Sequence, residues 1–224
     1  MPVLVVCSTK GGSGKTTVAL TIASELLESG ARVKLLDADI EGSLSNWFDG
    51  YDGEQNQLTL KRGVTEDSVM DDIAEASAAT PFVIVDVEGT ANMTMIKAAT
   101  MADLVIIPQK ASPLDWERTA KTVKGIRDAA RMSGREIPYR VVITQTNQVA
   151  RPKQTVEIIA KLRAKVPTFD QELFDLEAFR SMFLYRKTLA QLARDGDVKT
   201  VTARLVAKRF VAETMLLLKG SVAV

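Results

Sequence analysis

Five short runs of apolar and β-branched residues punctuate the chain: Val3–Val6, Val33–Leu36, Phe82–Val85, Leu104–Pro108 and Val141–Thr144. None alternates with polar positions, so each reads as a strand covered on both faces rather than one facing water. The segments between them carry apolar residues at helical spacing. Val18, Ile22, Leu26 and Leu27 mark a helix from about Lys15 to Ser29, and Gly30 is its C-terminal stop. A second helix is expected from Thr65, with Glu66 and Asp67 in its first turn, where acids are favoured. Ser112-Pro113-Leu114-Asp115 starts another, with Ser112 as N-cap and Pro113 at the first helical position. A further helix spans about Lys153 to Ala164, and a short strand is expected near Glu172 to Phe174. The tail reads as three helices: Phe179–Leu184, Thr188 to about Ala193, and Val198 to about Leu218. Trp47 to about Gly63 is polar and glycine-containing, with a short alternating piece at Leu58-Thr59-Leu60, and reads as a surface excursion. Strands alternating with helices predict an α/β fold. The expectation is one doubly wound, mostly parallel sheet flanked by helices, a single domain over residues 1–224 with a helical C-terminal tail.

The first strand runs straight into Lys10-Gly11-Gly12-Ser13-Gly14-Lys15-Thr16-Thr17, and the first helix follows. Glycines let the backbone curl so that several N–H groups point at one anion, and the helix N-terminus adds partial positive charge. Residues Gly11 to Thr17 therefore form a nucleotide-phosphate cradle of the P-loop type. Lys15 reaches the β- and γ-phosphates, and the Thr16 hydroxyl binds Mg²⁺. Lys10 stands at the far end of the loop, badly placed for its own γ-phosphate and better placed for a nucleotide on a second subunit. Two other strands end in acids. The second gives Asp37-Ala38-Asp39 and the third gives Asp86, followed by Val87-Glu88-Gly89. Carboxylates at the carboxyl ends of parallel strands beside a P-loop are where a metal–phosphate site is built. Asp86 fits a Mg²⁺-shell aspartate, and Gly89 offers a backbone N–H as a γ-phosphate switch.

Composition narrows the chemistry. There is no histidine, which removes histidine bases, Ser-His-Asp triads and most zinc sites. The single cysteine, Cys7, lies in the first strand and reads as core, so no disulfide framework exists and a reducing cytoplasm is consistent. Net charge is +1, so binding to a polyanion has to come from a local patch. No stretch looks like a signal peptide or a membrane span.

The string Lys-Gly-Gly-x-Gly-Lys-Thr-Thr resembles the deviant Walker A motif of the ParA/MinD family of ATPases, and the resemblance covers nearly the whole chain. It implies ATP and Mg²⁺ as cofactors and a homodimer in the ATP state, in which Lys10 crosses to the partner's nucleotide. Asp37-Ala38-Asp39-Ile40-Glu41-Gly42 resembles the family's Asp-x-Asp-Pro-Gln-Gly, with Ile40 and Glu41 in place of Pro and Gln. By that match Asp39 positions the attacking water and Asp37 supports the metal shell. Lys10, Lys15 and Asp39 would then be the catalytic residues. Asn147, after the strand ending at Thr144, maps to a residue that reads the adenine edge. The Ser-Pro-Leu-Asp segment resembles one near the dimer interface of partition ATPases.

No helix-turn-helix pattern precedes the loop, so the chain looks like the short ParA type. Such proteins bind DNA non-specifically as ATP dimers and release it after hydrolysis stimulated by a centromere-binding, ParB/ParG-like adaptor. The expected location is cytoplasmic and nucleoid-associated, without a membrane partner. The DNA patch is placed on the last helix, at Arg204, Lys208 and Arg209, with Val201, Leu205 and Val211 turned to the core. Lys187, Arg194 and Lys199 are the next candidates. A VirC-type accessory ATPase for conjugative DNA transfer is the nearest alternative. A nucleotide-dependent DNA-binding scaffold with negligible turnover is another.

Overall fold

The computed structural model describes residues 1–9, 11–88 and 92–221. Lys10 and Gly89 lie outside the described residues. The elements run β1 (Val3–Val6), α1 (Lys15–Glu28), β2 (Val33–Ala38), α2 (Ser43–Phe48), β3 (Leu58–Lys61), α3 (Val69–Ala79), β4 (Phe82–Val87), α4 (Met93–Met101), β5 (Leu104–Lys110), α5 (Pro113–Ser133), β6 (Tyr139–Thr146), α6 (Lys153–Lys165), β7 (Leu173–Phe174), α7 (Glu177–Tyr185), α8 (Leu189–Arg194) and α9 (Thr200–Ser221). The seven strands form one sheet in the order β3-β2-β4-β1-β5-β6-β7, and every pairing is parallel.

Strand alternation divides the core in two. Leu4, Val6, Leu35, Ile84, Ile106 and Val142 point to one face, where α1, α2, α7, α8 and α9 pack. Val3, Val5, Leu36, Val83, Val85, Val105 and Ile143 point to the other, under α3, α4, α5 and α6. Both faces are dry, which is why the strands read as continuous apolar runs. β1 sits between β4 and β5, so the chain order reverses around it. The carboxyl end of β1 is therefore the crevice where an open α/β sheet takes its ligand.

The surface excursion is corrected. Trp47 is buried in α2, its indole N–H donates to the Met182 carbonyl at 2.8 Å, and its ring stacks on Tyr51. Leu58–Lys61 forms the edge strand β3 against β2. Sequence polarity misled because α2 buries one aromatic face among polar neighbours. The second predicted helix begins later than expected, at Val69. Thr65 and Ser68 hydrogen-bond each other in the preceding turn, so Glu66 and Asp67 precede the helix, and Asp71 and Asp72 occupy its first turn. Ser112 is the N-cap residue of α5 by position, without a side-chain capping bond. On α9 the buried face is Ala203, Val206, Ala207, Phe210 and Val211, while Val201 and Leu205 face outward. No helix among the described residues is long and apolar enough to cross a membrane.

Candidate functional site: a phosphate loop between acid-tipped strands

The loop after β1 owes its shape to glycine. Gly12 (φ +68°) and Gly14 (φ +96°) are in the left-handed region, where a side chain would be strained, and a Cβ on Gly11 or Gly12 would meet nothing within 4 Å. Gly14 is the N-cap of α1 and carries no side chain to satisfy the first-turn N–H groups. The loop is clamped from β6: the Thr144 hydroxyl donates to the Ser13 carbonyl (2.8 Å) and the Gln145 amide donates to the Gly12 carbonyl (3.2 Å). Gln145 does so from a left-handed backbone (φ +56°), a conformation costly for a non-glycine residue.

Register brings the acids together. Asp86 pairs laterally with Asp37 on β2 and with Val6 on β1, so both carboxylates stand at the mouth of the loop. The Thr16 hydroxyl donates to Asp86 Oδ2 at 2.7 Å, and Lys15 Nζ lies 3.2 Å from Asp39 Oδ2 with both side chains buried. Asp39 Oδ1 accepts the Glu41 N–H at 3.0 Å, which fixes the carboxylate's orientation. Burial lifts the Asp86 carboxyl from 3.8 to about 7; the Thr16 hydrogen bond and Lys15 oppose that shift. Cys7, beside the loop, is fully buried and its thiol is pushed up to about 12 by burial, so it is an inert core residue.

Asp37 is held in place by the loop and by α2. Its Oδ1 accepts the Asp39 N–H, and its Oδ2 accepts both the N–H and the hydroxyl of Ser45. These bonds fix Asp37 between the loop at Asp39 and the first turn of α2. Among the described residues no three acids or cysteines cluster as a metal cage. The donor set still suits Mg²⁺, which keeps few protein ligands and takes the rest from phosphates and water. Asp86 Oδ1 is buried without a hydrogen-bond partner among the described residues, beside the Thr16 hydroxyl. Ser13 Oγ is likewise buried and unpartnered there.

A cavity of about 290 Å³ opens beside the loop, lined by Gly14, Thr17, Gln145, Phe174, Phe179 and Arg180 among others. Its walls come from α1, β6 and the adjacent β7 and α7, three stretches far apart in the chain, so no local motif announces it. The helical spacing of Phe179, Met182 and Phe183 was the available signal. Asn147 is exposed near its rim, and its side-chain oxygen caps a turn by accepting from Val149 and Ala150 N–H.

The expected DNA patch divides. Arg204 is half-buried and its guanidinium pairs with Glu28 at 3.3 Å, as does that of Arg194. Lys187 pairs with Asp195 and Lys199 with Glu177. Lys208 and Arg209 are exposed and make no ion pair among the described residues.

These features match known proteins. "Protein ParA" of Rhizobium radiobacter is 33% identical over 200 residues, covering 88% of this chain and 90% of that protein. "Protein virC1" of Rhizobium rhizogenes is 24% identical over 221 residues, covering 92% and 91%. A variant of McdA from Cyanothece, solved as an ATP complex, superposes with a TM-score of 0.72 at 16% identity, covering 97% of this chain and 96% of that one. Residues 4–189, which include the loop and both acid-tipped strands, match the CobQ/CobB/MinD/ParA nucleotide binding domain, and the chain belongs to that family.

Proposed function

We propose that this protein is a ParA-type ATPase for DNA segregation: ATP joins two copies, the dimer binds DNA without sequence preference, and partner-stimulated hydrolysis releases it. The observation that carries the reading is the pairing of Lys15 with Asp39 and of Thr16 with Asp86 around one phosphate loop. Lys15 and the N-terminus of α1 neutralise phosphate charge, and the α7-side cavity takes the base. Bound Mg²⁺, held by Thr16 with Asp86 behind it, supplies charge neutralisation at the phosphates. Asp39 lies against Lys15 and is aimed by the Glu41 N–H, which suits it to orient a water. Phosphoryl transfer to water needs positioning more than a strong base, so the lack of histidine is no obstacle. Ile40, 88% exposed next to Asp39, gives the rim of the site an apolar contact point for a second subunit. Asn147 keeps an amide N–H₂ free to meet the base edge.

A VirC-type role in DNA transfer is the second reading, favoured by the full-length similarity to virC1. Both readings require the ATP dimer. Sedimentation velocity with a slowly hydrolysed ATP analogue tests it: the wild type is expected to shift from monomer to dimer. Lys10→Ala should keep nucleotide affinity but lose dimerisation or hydrolysis. A wild type that stays monomeric with saturating analogue would sink the proposal.

A further inference from the structure

We propose that the outer face of α5 and α6 is a contact surface for the phosphate backbone of duplex DNA; this rests on the DNA-binding reading above and places a contact away from α9. The two helices carry nine lysines and arginines against four acids, in a chain whose net charge is only +1. The rest of the molecule is therefore net acidic, and the positive charge is concentrated on this side.

The cations are arranged rather than scattered. Lys121, Lys124, Arg127 and Arg131 recur at three- and four-residue steps, so they run as a row down one exposed flank of α5. On α6, Lys161 and Lys165 edge the cleft that separates the two helices, and the Lys165 ammonium lies 5.0 Å over the Trp116 ring. A surface helix ordinarily neutralises such a row with acids one turn away. Glu117 stands one turn before Lys121 and Asp128 one turn after Lys124, yet in this row only Arg131 closes an ion pair, with Asp128, and among the described residues Lys121, Lys124, Arg127, Lys153 and Lys161 make none. By contrast Arg204, Arg194, Lys199 and Lys187 are all held by carboxylates.

The shape selects the polyanion. The row from Lys121 to Arg131 rises about 15 Å along α5, the length of about four base pairs. A row at one cation per helical turn matches a continuous rod of charge. An acidic peptide would need only a compact cluster with an apolar anchor. The row offers ammonium and guanidinium groups suited to phosphates, so binding through it is independent of sequence.

The test is fluorescence anisotropy with a labelled random-sequence duplex, at several salt concentrations, with the ATP analogue present. Lys121→Ala, Lys124→Ala and Arg127→Ala combined should weaken binding about tenfold or more. They should also flatten the salt dependence by about one unit of slope per lost contact. ATP affinity and dimerisation should be unchanged, and Lys121→Arg with Lys124→Arg should bind as wild type. Wild-type affinity and slope in the triple alanine variant would overturn the proposal while leaving the DNA reading intact. Poly-glutamate competing as well as DNA at equal charge would also overturn it, in favour of an acidic protein. A wild type that ignores DNA altogether would end both.

Discussion

Asp86 is the residue whose chemistry departs furthest from its sequence neighbourhood. Burial holds its carboxyl near 7, whereas the unfolded chain ionises it near 4. Between those pH values the native protein keeps a proton that the unfolded chain has released. The stability this group contributes is therefore complete below about pH 4 and is lost as pH rises to about 7. Asp86→Asn mimics the protonated form, so its melting temperature relative to wild type should rise between pH 5 and pH 8 in metal-free, nucleotide-free buffer. A pH-independent difference would show that Asp86 ionises normally. The same linkage means that a cation bound at Asp86 competes with its proton. Residue chemistry at Lys15 and Thr16 was legible from the sequence, because a loop motif places both side chains by local backbone geometry alone. The partners of Asp37 were not, since Ser45 reaches it only once α2 has folded back.

At the scale of elements, the helices that shape the site are held by a few buried links. α2 lies between Asp39 and α7, and Trp47 ties the two helices through its bond to the Met182 carbonyl and its packing on Tyr51. Removing that ring leaves a cavity and deletes one bond to the Met182 carbonyl, which still accepts the Lys187 N–H. Trp47→Ala is expected to cost about 3–5 kcal/mol in denaturant unfolding, with near-normal chemistry in whatever fraction stays folded. A loss under 1 kcal/mol would mean that α2 is not anchored through this contact. The strands were readable because each is buried on both faces and so lacks polar interruptions. β3 was hidden because an edge strand pairs on one side only and half of Leu58–Lys61 meets solvent. The start of α3 was missed because Thr65 and Ser68 satisfy each other in a turn that competes with the helix.

For the whole molecule the proposed function turns on how hydrolysis would be linked to release. Lys15 is shared between Asp39 and any phosphate seated on the loop, so removing the Asp39 carboxylate frees the ammonium for nucleotide while taking away the group suited to orient water. Asp39→Ala should therefore bind ATP at least as tightly as wild type, hydrolyse it at least tenfold more slowly, and stay DNA-bound after ATP addition. Phosphate release and DNA dissociation followed in one sample provide the check, and wild-type turnover in the variant would remove Asp39 from the mechanism. The charge distribution acts at this scale too: with little net charge, affinity for a polyanion depends on which face is presented. The proposed ATP dimer would double that face.

The sequence by itself determined the strand–helix alternation, the phosphate loop and the acids at the strand ends. These are local properties: burial on two faces leaves an apolar run, and a loop that wraps a phosphate needs glycine at fixed steps. The lateral placement of Asp86 beside Asp37 was decided only by the tertiary structure, through the strand order. So were the cavity beside the loop, assembled from α1, β6, β7 and α7, and the burial of Trp47. The fate of the cations was decided there as well. Arg204 and Lys208 are one helical turn apart and look alike in sequence, yet the packing of α9 on α1 sets Glu28 against Arg204 and leaves Lys208 exposed. A side chain's charge is written in the chain, but its partner belongs to whichever element folds against it.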